Sequence, residues 1–404
     1  MAMGSFVALS FAADRSLEQG DVLQTVGSTS LPNETLASIF CGLSPSILTS
    51  TARVSRQWRA VAEWILYSNV FITESLSPTS QFPYRTLRCC QTIVQHPHLA
   101  SGVKKFHVRW ISERGDHYGP FLDVVLSNLS QAIAGAANLE SLDLYLGLPS
   151  FLESPAPTSL VFPTTDCSFH FLRHISLNGI GHFSRNRLAY FLNIVPSILH
   201  LRLPDYRDQM AVLPHALPSL VSFCGSPRAA ATVLPGRPVQ SLALIGQDYV
   251  TEADLSRMAL TTLPLSVLDL SGMSVTPILL RNVSRSLPMV EFLKVKLALR
   301  HTLHFALSGI RLLAALSHLL GAFYRLVTLD LSPTHVDYVS LNNSAEELSL
   351  CQSWHTVCPS LRRIVFPSQT EWLFHEDGGA WVPIIEEGSR RRPAFYSPKK
   401  NVGS

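Results

Sequence analysis

Charge is scarce in this chain: Asp, Glu, Lys and Arg make up 15% of 404 residues, and the formal net charge is +3. So weak a balance, with no basic stripe before residue 385 and no recognisable reading module, argues against nucleic acid as a partner. Long apolar runs are missing too. Hydrophobic residues reach 47%, yet the richest stretch, Leu312 to Phe323, is interrupted by Ser317, His318 and Gly321. It falls short of the ~20 apolar residues that a spanning helix needs, so no membrane association is expected. Cysteine pairs at metal or redox spacing are also absent. Cys41, Cys89, Cys90, Cys167, Cys224, Cys351 and Cys358 are odd in number and form no C-x-x-C pair. That is the pattern of reduced, buried thiols in the cytoplasm and/or nucleus. Met1 to Ala13 are apolar, but no Lys or Arg precedes the apolar stretch and no small-x-small site follows it, so no secretory leader is expected.

Catalytic signatures are lacking as well. The chain has no H-E-x-x-H, no G-x-x-x-x-G-K-[ST], no G-x-G-x-x-G and no G-x-S-x-G. His301 and His304 stand three apart without a third ligand nearby, and His96 and His98 are separated by Pro97. Both pairs read as polar surface. The expectation is a protein that is not an enzyme and holds no cofactor and no metal.

What is present is periodicity of two kinds. From Leu31 to Ile72 the apolar residues fall at helical spacing, in a first set ending at Leu43 and a second running from Leu48 to Leu66. Between the sets, Ser44-Pro45 offers an N-cap hydroxyl followed by Pro in the first turn, which predicts one break there. Beyond residue 100 an L-x-x-L-x-L-like hexad recurs ten times, centred on Phe106, Leu142, Ile175, Leu201, Phe223, Leu242, Leu268, Leu293, Leu329 and Ile364. The spacing is uneven, 36 residues from Val103 to Leu139 but 19 from Leu220 to Val239. Each hexad predicts a short strand with alternate residues inward, and the intervening segment returns as helix or loop. Helical patterns fit Phe121 to Ile133, Arg187 to Ile194, Ile278 to Ser286 and Ala306 to Phe323. The hexad ending in Gly225 is the poorest.

The segment Leu31-Pro-Asn-Glu-Thr-Leu-Ala-Ser-Ile-Phe40, then Leu43, Leu48, Ala52-Arg-Val-Ser-Arg-Gln-Trp58 and Leu66-Tyr-Ser-Asn-Val70, resembles the F-box, and with its downstream repeats it resembles fungal F-box substrate receptors. Ser55 stands where that family commonly has Cys, and Tyr67 where it commonly has Trp. The resemblance implies a Skp-type adaptor as partner and through it a cullin, with an unknown protein substrate. The adaptor contacts it implies are Leu31, Pro32, Leu36, Ile39, Phe40, Leu43, Leu48, Val54 and Trp58. Candidate substrate contacts are variable positions of the hexads: Lys105, His107, Asp143, His174, Arg202, Asp269, Lys294, Asp330 and Arg363.

The expected class is α/β. A flexible segment (1–30) precedes a small all-α helical module (31–72) and a connecting helical segment (73–100). An irregular leucine-rich-repeat solenoid (101–385) follows, a curved parallel sheet with convex-side helices, and then a basic disordered tail (386–404). The expected role is substrate recognition in a Skp-cullin-F-box ubiquitin ligase. The alternative is a repeat scaffold not coupled to ubiquitination.

Overall fold

A computed structural model of the chain describes residues 31–76, 82–112, 122–147, 169–179, 185–207, 210–298, 311–335 and 344–384. The segments 1–30 and 386–404, Cys167, His301 and His304 lie outside the described residues. The chain divides into two compact units, Met1–Leu265 and Ser266–Ser404.

The first unit opens with three helices, α1 (Asn33–Phe40), α2 (Pro45–Thr51) and α3 (Arg56–Ser68). The break at Ser44-Pro45 is where the sequence puts it, with Ser44 extended and Pro45 at the first helical position. A second break was not expected. Val54 closes a turn onto the Thr51 carbonyl, and the Ser55 hydroxyl accepts the Trp58 backbone N–H at 3.1 Å. A serine that can cap offers the backbone an alternative to continuing one helix.

Seven strands follow in the first unit: β1 (Asn69–Leu76), β2 (Lys105–Ser112), β3 (Ser141–Tyr145), β4 (His174–Asn178), β5 (His200–Leu203), β6 (Ser222–Gly225) and β7 (Ser241–Ile245). They pair in parallel, each with its neighbour in chain order. Val70, Phe106, Leu142, Ile175, Leu201, Phe223 and Leu242 form one continuous rung, all of them buried. The six hexads of this unit therefore meet at their central residues. Parallel neighbours require crossovers, and among the described residues these include α4 (Tyr84–Gln95), α5 (Pro97–Ala100), α6 (Leu122–Gly135), α7 (Arg185–Ile194) and α8 (Pro227–Val233). The next helix, α9 (Glu252–Met258), opens on a capping box between Thr251 and Asp254.

The poor hexad has a packing reason. A Cβ at Gly225 would lie 3.0 Å from the Phe223 ring and 3.1 Å from the Leu203 carbonyl oxygen. The large ring uses the room that a Leu would otherwise fill.

Strand β1 spans the expected boundary, where helix was expected on both sides. Residues 69–76, divided by the sequence between the helical module and a connecting helical segment, pair with Lys105–Ser112 over their full length. They lack the hexad, and the helix before them ends without Gly or Pro, so neither strand signal was present. The rest of the connecting segment is helical as expected, in α4 and α5.

In the second unit β8 (Val267–Val275), β9 (Phe292–Leu297), β10 (Thr328–Asp330) and β11 (Arg363–Val365) continue the hexad pattern, with β8 paired to β9, β9 to β10 and β10 to β11, all in parallel. Their rung is Leu268, Leu293, Leu329 and Ile364. Helix α10 (Pro277–Ser286) matches its expected span. Of the 306–323 pattern, 306–310 lie outside the described residues and the rest forms a 3₁₀ segment (Arg311–Leu316) and the short α11 (Ser317–Leu320), and α12 (Ser344–Val357) precedes β11. An all-parallel array to residue 385 is not what the unit contains. β12 (Glu371–His375) and β13 (Ala380–Ile384) run antiparallel. The turn before β12 is too short for a crossover, with Gln369 at φ 67°, and Gly379 at φ 59° makes the next one.

The cysteines divide by packing. Cys90, Cys351 and Cys358 are buried as expected, whereas Cys41 is exposed beyond α1. Burial pushes the Cys89 thiol up to about 12 and the Cys351 thiol well above its ordinary value. Thiol titration of the native protein should therefore modify Cys41 early and leave Cys90, Cys351 and Cys358 unreactive until unfolding. Rapid native labelling of Cys351 would contradict the packing of α12.

Candidate functional site

The helical module has a complete interior. Leu36, Phe40, Leu48, Val61 and Ala62 are buried together, with Leu43 and Trp58 packed against them, and the Phe40 and Trp58 rings meet edge to face at 5.4 Å. This divides the nine expected contacts. Leu36, Phe40 and Leu48 are interior residues with almost no surface to offer a partner, because the i, i+4 pair of α1 and the inner face of α2 turn toward α3. Leu43 and Trp58 are half-buried. Leu31, Pro32, Ile39 and Val54 are exposed, and Ile47, which the sequence reading missed, is exposed with them. The signal for Ile47 was its place beside Leu48 on a helix, where adjacent residues cannot both face inward. The segment before α1 is held: Gln57 Nε2 donates to the Leu31 carbonyl oxygen at 2.7 Å and to Asn33 Oδ1 at 3.0 Å.

Helix α3 runs into β1 without a linker. The Lys104 N–H donates to the Ser68 carbonyl oxygen at 2.9 Å, tying the end of α3 to the start of β2. Tyr67 is half-buried there, and burial, with Cys89 and Glu63 beside it, pushes its phenol up to about 12. Farther along β1, the Glu74 carboxylate accepts the backbone N–H groups of Arg85 and Thr86 and the Thr86 hydroxyl, capping α4. Thr86 in turn accepts the indole N–H of the buried Trp110 at 2.9 Å.

On the strands, the expected substrate contacts fall into two groups. Lys105, His107, Asp143, His174 and Arg202 share the outward face of the first unit, since each pairs in register with an outward neighbour. His107 stacks on Phe71 at 4.5 Å and lies 3.5 Å from Asp143, and His174 stacks on His200 at 4.6 Å. His107 and Ser176 hold the Asp143 carboxyl below its usual range, while burial, with His174 alongside, pushes the His200 imidazole down. Arg109 lies over the Tyr145 ring at 5.1 Å. Neither of these two was singled out from the sequence, because both stand one strand step past the hexad's polar positions.

The second group is engaged internally. Asp330 is only 9% exposed, contrary to the outward placement expected for it, and it binds Lys294 at 3.2 Å and the Ser332 N–H at 2.9 Å. Asp269 likewise accepts the Ser271 N–H at 2.8 Å. Arg363 forks onto Glu371 at 2.7 and 3.0 Å, which raises the guanidinium pKa and lowers that of the carboxyl. The Leu-Asp-Leu-Ser pattern shared by two hexads thus turns the backbone where the ladder breaks, at the end of β10 and at the register shift after Leu270 in β8, rather than offering a free contact.

Comparison with known families finds a match for one region. The F-box-like family model matches residues 28–73. The match takes in α1 to α3 and ends inside β1. No curated protein matches the chain. Within the F-box-like region two departures from the common pattern have a structural place: Ser55 caps α3, and Tyr67 packs at the junction with the strands. The exposed apolar residues Leu31, Ile39, Ile47 and Val54 all lie in this F-box-like region. Among the described residues no group of three His, Cys, Asp or Glu side chains could hold a metal ion, and no helix is long and apolar enough to cross a membrane.

Proposed function

We propose that the chain is the substrate-recognition subunit of a Skp-cullin-F-box ubiquitin ligase. Its F-box-like region docks a Skp-type adaptor, and its strands, read as irregular leucine-rich repeats, present a protein substrate. One observation carries this reading. Leu31, Ile39, Ile47 and Val54 stay exposed although the core beside them is complete, in the segment that matches the F-box-like family. Apolar residues left out of a finished small core suit a helical surface that a partner covers. Such a subunit needs no catalytic group. It speeds transfer by holding substrate near the charged conjugating enzyme, a task for the cytoplasm or nucleus.

The junction supports this division of labour. With α3 continuing into β1 and Lys104 bonded to Ser68, docking surface and strands are joined by packed structure, which keeps a bound substrate at a set distance from the adaptor.

Ile39→Asp combined with Val54→Asp should weaken adaptor binding by about a hundredfold, since losing central apolar contacts typically costs ~2 kcal/mol or more. The melting temperature should hardly move, because neither side chain is in the core. Calorimetric titration with purified adaptor decides the matter: affinity equal to the parent chain would discard this surface as the docking site.

A further inference from the structure

We propose that the outward face of β1 to β5 captures an acidic, carboxylate-rich segment of a protein. The inference deepens the reading of the strands as the substrate-binding part and rests on it. Charge on this face is unbalanced. Among the described outward residues of β1–β7, Lys105, Arg109 and Arg202 are fixed cations, and Asp143 is the one carboxylate. That carboxylate is already taken up by His107, Ser176 and the nearby charge of Arg202. Glu74, the other acid of these strands, points the opposite way and caps α4.

In the second unit two outward cations are matched on their own face, Lys294 by Asp330 and Arg363 by Glu371, while Lys296 stays exposed beside them. Among the described residues, Lys105, Arg109 and Arg202 have only the shared Asp143 as a carboxylate on their own face, and an incoming acidic chain would supply more. Arg109 is also held in place over Tyr145, so less side-chain freedom is lost when it binds. Exposed Phe71 and Tyr145 flank the cations and offer apolar and aromatic contact between charges. Arg109 and Arg202 stand on strands three steps apart, roughly 15 Å, which an extended segment of about five residues spans. Carboxylates on alternate residues of such a segment would meet both guanidinium groups.

Fluorescence polarisation with the full-length protein and a short labelled Glu/Gly peptide tests this. The peptide should bind and weaken as salt is raised, while a Lys/Gly peptide of equal length should not bind. Arg109→Glu with Arg202→Glu should lower affinity at least about tenfold, whereas Arg228→Glu, on α8, should leave it unchanged. Absence of binding at low salt, or binding that survives the double reversal, overturns the proposal. Tighter binding of a short single-stranded DNA than of the Glu/Gly peptide overturns it in favour of nucleic acid. Adaptor titration on the same proteins separates the two readings. Lost peptide binding with adaptor binding intact removes only the acidic partner, and peptide binding without any adaptor binding removes the ligase assignment instead.

Discussion

A chain beginning at Asn69 should fold, and one beginning after residue 80 should not. Both cuts remove the F-box-like helices, but the second also removes β1, which pairs with β2 from Asn69↔Lys105 to Leu76↔Ser112. Burying Val70 and Leu76 is worth about 2 kcal/mol each, and the Glu74 carboxylate that caps α4 adds about 1 kcal/mol. The shorter chain should therefore elute as aggregate and melt without a cooperative transition. The Asn69 chain should melt cooperatively, lose the adaptor, keep the acidic peptide, and act in cells as an inhibitor that shields substrate. Equal solubility and equal melting of the two fragments would show that β1 is dispensable and that the expected boundary near residue 72 was adequate.

Replacing Arg237 by Ala should destabilise the first unit by about 2 to 3 kcal/mol, since buried carbonyl groups lose charge-assisted donors. Arg237 is only 2% exposed, and its guanidinium donates to the carbonyl oxygens of Ala216 at 2.9 Å, Leu213 at 2.8 Å, Pro235 at 3.1 Å and Val233. Burial lowers its pKa without a carboxylate in these contacts. The fork joins the end of α8 to the loop in which Leu217 holds φ at 57°, a left-handed conformation that costs an L-residue about 1 kcal/mol or more. Ala would leave these carbonyls short of donors. Arg237→Lys should recover less than half of the loss, because one ammonium cannot reproduce a planar fork. Urea unfolding measures both variants. A shift below about 1 kcal/mol for the Ala variant would mean that water replaces the guanidinium and that the clamp is incidental.

Arg237 also shows where sequence reasoning stops. Nothing in Pro235-Gly-Arg-Pro238 distinguishes a buried clamp from a solvated loop arginine, since its partners are backbone carbonyls and carry no residue signature. Ile47, Arg109 and Tyr145 were overlooked for a related reason. Their role depends on what lies across from them, and a hexad or a helical stripe describes only one element at a time. Asp330 was misplaced because alternation decides which way a strand residue leaves the backbone, but not whether Lys294 closes over it.

What the residues determined alone was whatever burial periodicity encodes locally: the helical spacing of 31–66, the stop at Ser44-Pro45, and ten strands whose central residues line up in two rungs. Those signals survive because a short strand or helix must turn its apolar side inward whatever its neighbours are. Tertiary structure decided the rest. It drew β1 out of a segment without a hexad, ended the parallel strands in a hairpin, and sent Leu36, Phe40 and Leu48 into a core while leaving Ile39, Ile47 and Val54 outside. The physical reason is the same in each case: an apolar side chain becomes core or contact according to which surfaces meet it, and that choice is made by packing between distant elements.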